Sequence, residues 1–431
     1  MKLFITIFLL FFKTSIVYAS TDLIFFLEGA YKNNPVLNAE RKNLKAIKQN
    51  INISYSEFLP SISFSGSINS NELSSRVNQT GERLSDTNLN TKTKKISVDQ
   101  KLFQGFEGYN SLKKSELEYQ RADFKLKNIE QETLFKTTSA YYDLIYTKNR
   151  MKFNLENLSL FERQVEFDSV RLQKGEISLT DLAQSESSLA GAKANLISAE
   201  NEFLSSKNNF ERITRIISPE IVEEKIDLNI NLPKNLNEAL KISEKNNPKL
   251  LIARLDFQIS KKNLDIKKAQ LSPSASINYS KSETNGLSST MDKADQETVQ
   301  ATVTWPLING GKNYSSIKKS RFEKEKTSLL LEDKINEVVT DTTNAWSSFR
   351  SSRSILQATK SQVKAAEIAN EGITLEYDSG NTRTTMEVIQ SRSLLLNSKI
   401  ANAKAKRDFI ISKFKILSVL GELTLDSIKN L

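Results

Sequence analysis

Two side chains that carry much of protein chemistry, the cysteine thiol and the histidine imidazole, are missing from the sequence. Without cysteine there are no disulfides, thiolate nucleophiles, cysteine-based metal sites or lipidated N-terminal cysteine. Without histidine there is no Ser-His-Asp triad, no imidazole proton shuttle and no His-ligated zinc. No metal and no cofactor are therefore expected, and an enzyme would have to work with carboxylates or lysines. The adjacent Glu223 and Glu224 form such a carboxylate pair, but they sit in a charged connection and need no catalytic reading. The formal charge of +10 comes from 61 Lys and Arg against 51 Asp and Glu spread along the same segments. A nucleic-acid surface needs basic residues clustered with aromatics on one face. The spread pattern here predicts a solvated helical surface and no nucleic acid.

The N-terminus reads as an export signal. Lys2 precedes the run Leu3 to Phe12, Lys13 interrupts it, and Val17-Tyr18-Ala19 offers small residues for cleavage after Ala19. Ten helical residues reach about 15 Å, half of a bilayer core, so residues 1–19 are expected as a signal peptide rather than an anchor. No later segment approaches eighteen apolar residues, and no membrane-crossing helix is expected.

The elements that must position any functional residue are written twice. Asn33-Asn34-Pro35 recurs as Asn246-Asn247-Pro248, and the same shift relates Leu37 to Leu250, Arg41 to Arg254 and Pro60 to Pro273. With a slightly smaller shift, Gly105 matches Gly310, Lys113-Lys114-Ser115 matches Lys318-Lys319-Ser320, and Gly175 matches Gly380. One residue is inserted after Gly380, beyond which Gln184-Ser185 matches Gln390-Ser391. Two copies are too few for a solenoid and suggest a pseudo-symmetric subunit, with repeats over 20–217 and 234–431.

Each copy follows one plan. A short helix leads to Asn-Asn-Pro, where proline suits a first helical turn. A second helix ends at Pro60 or Pro273. Alternating strands follow: Ile62, Phe64 and Ile68 share one face and serines the other, while Val299, Ala301, Val303 and Trp305 alternate with Gln300, Thr302 and Thr304. Strands are expected at about 61–70 and 95–104, and again at 274–283 and 298–307, around polar loops at 71–94 and 285–297. Residues 109–174 and 312–371 contain neither Gly nor Pro. Long helices are expected over about 107–174 and 311–378, each about 100 Å at 1.5 Å per residue. Return helices are expected at 176–215 and 382–420, with a heptad seam of Leu182, Leu189, Leu196, Phe203 and Phe210 and small residues such as Ala192 and Ala199 three places on.

Four strands with one apolar face are thin for a soluble core but suit lipid on one side and water on the other. They cannot close alone, because unpaired edges are untenable in hydrocarbon. The alternatives are a periplasmic β-hairpin domain on a helical stalk, or a structural periplasmic or surface coiled coil with no pore.

The doubled order of Asn-Pro helix, two strands, long helix and heptad return resembles the TolC-like outer-membrane efflux family over 20–431, as does Tyr377-Asp-Ser-Gly-Asn-Thr-Arg-Thr-Thr-Met-Glu-Val-Ile-Gln390 before a helix ending Leu417-Ser-Val-Leu-Gly-Glu-Leu423. The resemblance implies a mainly α fold with a membrane β-barrel portion. It implies a homotrimer sharing twelve strands in the lipid bilayer of a Gram-negative outer membrane, continued by a coiled-coil tunnel in the periplasm. It further implies a non-enzymatic duct opened by a periplasmic adaptor (membrane fusion) protein and served by an inner-membrane transporter of the RND, ABC or MFS type. By the same resemblance, polar links near the turns hold the tunnel shut, and the matching residues are Thr180, Asp181, Tyr377 and Arg383. An Arg fork and a Tyr hydroxyl suit donation to a carboxylate and a threonine oxygen. The family's two acidic aperture rings fall on Glu387 and Gln390, so only the first keeps a carboxylate. By that resemblance Gly175 and Gly380 mark the turns expected to face the adaptor.

Overall fold

The structure is a computed structural model that describes residues 23–218, 230, 232–287, 291–379 and 383–429. The expected signal peptide, the pair Glu223 and Glu224, and Gly380 lie outside the described residues. The first repeat contributes α1 (Leu23–Asn33), α2 (Pro35–Ser56), β1 (Ser61–Leu73), β2 (Thr87–Gln104), α3 (Glu107–Gln173) and α4 (Leu179–Thr214). The second contributes α5 (Leu236–Asn246), α6 (Pro248–Ala269), β3 (Ser274–Asn285), β4 (Lys293–Thr304), α7 (Lys312–Asp378) and α8 (Thr385–Leu420), and α9 (Leu425–Lys429) follows. Contacts divide the chain into two units, and α3 and α7 each contribute to both.

One unit comprises Val36–Ile129 and Asn237–Thr343 and holds all four strands. They form one antiparallel sheet in the order β1-β2-β3-β4. Because side chains alternate along a strand, the register fixes which residues share a face. Ile62, Val98, Tyr279 and Val299 lie in one row across the sheet, and the next row on that face begins with Phe64 and Ile96 and ends in the ion pair of Lys281 and Glu297. The opposite face carries the row Ser63, Ser97, Ser280 and Thr298.

The strands run further than their alternation predicts. β2 starts at Thr87 rather than near 95, and β1 and β3 continue to Leu73 and Asn285. Glu72 pairs with Asn88, and Leu73 with Thr87. A backbone ladder needs no apolar face, so this polar extension left no period of two to read. β4 spans Lys293–Thr304 instead of about 298–307. Its start is supported by Lys293 against Glu283 at 3.2 Å, and beyond its end Pro306 has no N–H to pair.

Asn247 caps α6, its side chain accepting from the N–H groups of Lys249 at 2.9 Å and Leu250 at 3.3 Å, with Pro248 in the first turn. At the sheet-to-helix corner Gly105 has φ +57°, and a Cβ there would lie 2.4 Å from the Ser272 Cβ and 2.6 Å from the Ala269 carbonyl.

The other unit gathers Met1–Pro35, Glu130–Leu236 and Asn344–Leu431. Here α4 returns along α3 and α8 along α7. Small buried residues line both return helices at heptad spacing: Ser185, Ala192 and Ala199 on α4, and Ser391, Ser398, Ala405 and Ser412 on α8. Small side chains let the partner helix come close enough for hydroxyls to meet. Thr147 and Ser206 approach to 2.6 Å in the first repeat, and Ser352 and Ser412 to 2.9 Å in the second. The core of this unit packs Phe26 edge-on to Phe210 at 5.0 Å and against Tyr141 at 5.8 Å, with Ile410, Phe414 and Leu423 buried around them.

Gly105→Ala forces both a left-handed alanine and an overlap with backbone. It should destabilise the protein by about 2–4 kcal/mol, read as a lowered thermal midpoint of the purified assembly. Gly175→Ala, with open space at its Cβ, should lower it less.

Candidate functional site

Where α3 ends, Gly175 takes φ +75°. The N–H groups of Gly175 and Glu176 return to the carbonyls of Leu172 and Arg171, both at 2.9 Å, closing the helix in a Schellman turn. Three residues later α4 begins with a capping box. The Ser178 hydroxyl accepts from the Asp181 N–H at 3.2 Å, and the Asp181 carboxylate accepts from the Ser178 N–H at 3.0 Å and hydroxyl at 2.7 Å. These bonds from Ser178 hold the Asp181 carboxyl below the usual aspartate range, with a smaller push from Arg171.

The second repeat builds the same device. Thr384 caps α8, and Glu387 accepts from the Thr384 N–H at 2.8 Å and hydroxyl at 3.1 Å. The Thr384 amide, the Arg383 guanidinium and the Thr384 hydroxyl lower the Glu387 pKa in that order. Ser178 and Thr384 are therefore equivalent caps, and Asp181 and Glu387 equivalent third residues. That equivalence puts the inserted residue between Gly380 and Thr384.

Arg383 stays within its own hairpin. Its Nε donates to Glu376 at 2.6 Å and Nη1 to Glu387 at 2.9 Å, and both carboxylates raise its pKa. Thr180, Gly175 and Gln390 are exposed. Among the described residues of the single chain, no hydrogen bond joins Thr180 or Asp181 to Tyr377 or Arg383. The structure brings Arg383 and Glu387 together, and places Tyr377 elsewhere.

Tyr377 is buried, and its hydroxyl donates to Asp168 Oδ1 at 2.7 Å while lying 3.0 Å from Thr385 Oγ1. Burial is the main cause of its raised pKa. Asp168 is 0% exposed. Its Oδ2 accepts from the Ser185 hydroxyl at 2.6 Å, and Gln164 Nε2 lies 3.0 Å from each carboxylate oxygen. The Arg171 guanidinium sits over the Tyr377 ring at 4.8 Å, and Phe167 meets that ring edge-on at 6.3 Å. Arg171 donates from Nε to Glu176 at 3.2 Å.

Asp168 was not among the residues expected from the sequence, but a signal for it exists. Thr133, Ala140, Thr147, Asn154, Phe161 and Asp168 fall every seven residues along α3, and all are buried. A carboxylate continuing a buried heptad line needs hydrogen-bond donors from the helices it faces.

The sheet end offers a second functional surface. Ile62, Phe64 and Ile68 are 74%, 72% and 75% exposed. Aromatic side chains gather where the strands meet the helices: Phe103 is edge-on to Phe106 at 5.6 Å, Tyr55 lies 6.3 Å from Phe58, and Trp305 donates to the Leu271 carbonyl at 3.1 Å. An apolar band edged by aromatics is how a sheet meets a bilayer and its interface. Among the described residues no helix is long and apolar enough to cross a membrane.

An open antiparallel sheet with an apolar row on one face, together with two antiparallel pairs of very long helices, is the architecture of an outer-membrane channel subunit. The family model for outer membrane efflux proteins matches residues 27–214 and 239–422, one match per repeat, and the chain belongs to that family. The outer membrane efflux protein BepC of Brucella suis is 24% identical over 93% of this chain and 86% of that one. The outer membrane protein TolC of Escherichia coli is also 24% identical, over 70% of this chain and 64% of its own length. Among solved structures, the Campylobacter jejuni CmeC outer membrane channel superposes with a TM-score of 0.82 at 14% identity, over 95% of this chain and 88% of that one.

Removing the Ser178 hydroxyl leaves the Asp181 N–H without its cap. Ser178→Ala should cost about 1 kcal/mol and speed limited proteolysis around Gly175 roughly fivefold. Because the Asp181 and Glu387 pKa values are lowered on folding, the stability they contribute is present above the ordinary carboxylate range. It is lost as pH falls through the depressed values. Amide exchange in the first turns of α4 and α8, corrected for intrinsic rate, should therefore rise in acid, and the rise should vanish in Asp181→Asn with Glu387→Gln.

Proposed function

We propose that the chain is one subunit of a passive exit duct through the outer membrane, assembled as a homotrimer. The carrying observation is the four-stranded sheet whose apolar residues Ile62, Phe64 and Val299 are bare and whose β1 and β4 edges have no partner strand among the described residues. Three subunits supply twelve strands, enough for an aqueous lumen, whereas eight-stranded interiors fill with side chains. Ser63, Ser97, Ser280 and Thr298 then face water and Ile62, Phe64 and Val299 face lipid. The bare apolar residues of α7, among them Ile355, Ile368 and Leu375, suit burial against a neighbouring subunit.

A duct of this kind holds no catalytic centre, and its chemistry is gating. We assign the gate to the helix tips. Arg383 on one hairpin, with Thr180 and Asp181 on the other, links neighbouring elements across the assembled tip, Tyr377 ties the two hairpins of one subunit through Asp168, and Glu387 with Gln390 lines the aperture. The turns at Gly175 and Gly380 face a periplasmic adaptor protein, which couples the duct to an inner-membrane transporter in a tripartite efflux pump or type I secretion system. The resemblance set out above and the exposure of the Gly175 turn support this assignment. Because Glu387 already serves the α8 cap and Arg383, the aperture ring is a weaker cation attractor than two rings of free carboxylates.

Purified protein reconstituted in planar bilayers should form trimers that conduct ions. Phe64→Arg should reduce insertion, at a cost between about 1 and 4 kcal/mol set by its depth in the bilayer, whereas Ser63→Arg should insert and alter ion selectivity. A mature protein that stays monomeric in plain buffer and never conducts overturns the duct.

A further inference from the structure

The face of the sheet that carries Ile62 and Phe64 changes character toward the β-hairpin connections. β1 begins just after α2 and β2 ends just before α3, and β3 and β4 stand likewise between α6 and α7, so the strand ends at Leu73 and Asn285 are the ones that join no helix. Toward those ends, three successive rows of this face hold four lysines, Lys92, Lys94, Lys281 and Lys293. They also hold three carboxylates, Glu283, Asp295 and Glu297. Over the same stretch the opposite face is built of Ser, Thr, Gln and Ala, with Lys95 as its one charge. A wall standing in water has two wet faces and no reason to keep its charges on one of them.

The charges divide again along the sheet. On β3 and β4, Lys281 pairs with Glu297 at 2.5 Å, and Lys293 lies 3.2 Å from Glu283 and 3.9 Å from Asp295. That half carries one carboxylate more than it has lysines. Lys92 and Lys94 on β2 are exposed and form no ion pair among the described residues. Glu283, which faces Lys94 in the register, has Lys293 as its ion partner. Alternate residues of a strand are about 7 Å apart, so the two ammonium groups can close on one anion between them. Their β1 neighbours leave room for it. Across from Lys94 stands Gly66, where even an added Cβ would come no nearer than 4.0 Å to another group, and across from Lys92 stands the bare Ile68.

We propose that Lys92 and Lys94 hold the phosphate of an outer-leaflet glycolipid against the rim of the assembled barrel. The inference rests on the reading of the sheet as part of an outer-membrane barrel, and it names the lipid that the barrel selects. With the helices in the periplasm, the β-hairpin ends reach the outer leaflet, whose lipids in a Gram-negative membrane are phosphorylated glycolipids. The order of residues along the strands suits such a molecule. The headgroup meets Lys92 and Lys94, and the acyl chains run back over Phe64, Ile96, Ile62 and Val98, which follow on the same face. A bare isoleucine level with Lys92 marks this height as the membrane interface rather than open water. Lysine stems cover apolar surface there while the ammonium reaches the phosphate. The carboxylate excess on β3 and β4 repels an anion, which directs the phosphate to the β1–β2 half.

Native mass spectrometry of the full-length mature trimer in detergent, titrated with diphosphorylated lipid A, tests this. A lysine close to an anionic lipid surface strengthens binding roughly fivefold. Lys92→Gln with Lys94→Gln should therefore retain diphosphorylated lipid A roughly twentyfold less well, at unchanged trimer yield and unchanged conductance in planar bilayers. Lys95→Gln removes a charge from the opposite face of the same strand and should bind as the wild type does. Dephosphorylated lipid A keeps the acyl chains, and wild type should hold it no better than the double variant does. Wild-type affinity in the double variant overturns the site, as does an equal loss in Lys95→Gln. Equal retention of the two lipid forms by the wild type overturns it too, since the chains alone then do the binding. Displacement of the lipid by inorganic phosphate at matched ionic strength makes the pair a free-phosphate site and overturns the lipid assignment. Conducting trimers that ignore the phosphate remove this site and leave the duct standing, whereas protein that forms no conducting trimer brings down the duct reading itself.

Discussion

Every backbone N–H and C=O inside a hydrocarbon layer must find its partner within the protein, and that requirement governs how this chain is used. Among the described residues four strands pair in sequence order and leave β1 and β4 open at the two sides. In water such edges are managed with charge or bulges. Here the row Ile62, Val98, Tyr279, Val299 makes one face unsuited to water, and the edges must be closed by strands of sister subunits. Oligomerisation is thus a condition for the sheet to exist in a membrane rather than an addition to a finished fold.

The helices obey a different rule, close packing at a heptad seam. A return helix touches its outgoing partner through Ser, Ala and Thr, and at that distance hydroxyls pair instead of being stranded. The pairs Thr147–Ser206 and Ser352–Ser412 stand at equivalent places of the two repeats. So do the capping boxes at Ser178 and Thr384. Duplication has preserved what builds a hairpin. What joins one hairpin to the other is not duplicated: Asp168 has no carboxylate counterpart on α7, where Ile373 stands at the matching position.

That contrast explains what the sequence made legible. Local devices repeat, so the Asn-Pro helix starts, the long runs without Gly or Pro and the heptad lines announced themselves. The strand ends did not, because between Thr87 and Lys94 the ladder is carried by backbone and only Leu89 is apolar. Thr180, Asp181, Tyr377 and Arg383 were reached through the motif around the turns, and all four lie within a few residues of the α3–α4 or α7–α8 connection. Their partners were not readable, because pairing at a helix start is decided by cap geometry. A carboxylate three residues after Ser178 or Thr384 folds back on its own helix before it can reach another. Asp168 lay two turns above the motif and was visible only as the polar end of a buried heptad line.

Placement then bears on how firmly each bond can hold. Arg383 with Glu376 and Glu387 lies at the surface, where ion pairs are typically worth 0–1 kcal/mol and weaken with salt. The Asp168 carboxylate is shielded from both water and salt, and a hydrogen bond to a buried charge is worth about 1.5–3 kcal/mol. A surface pair is easily reached and easily undone by a docking protein, whereas a buried pair yields only when the helices themselves move apart. The surface pairs of Arg383 therefore respond to salt, while the bonds to Asp168 yield only when the helices around it part.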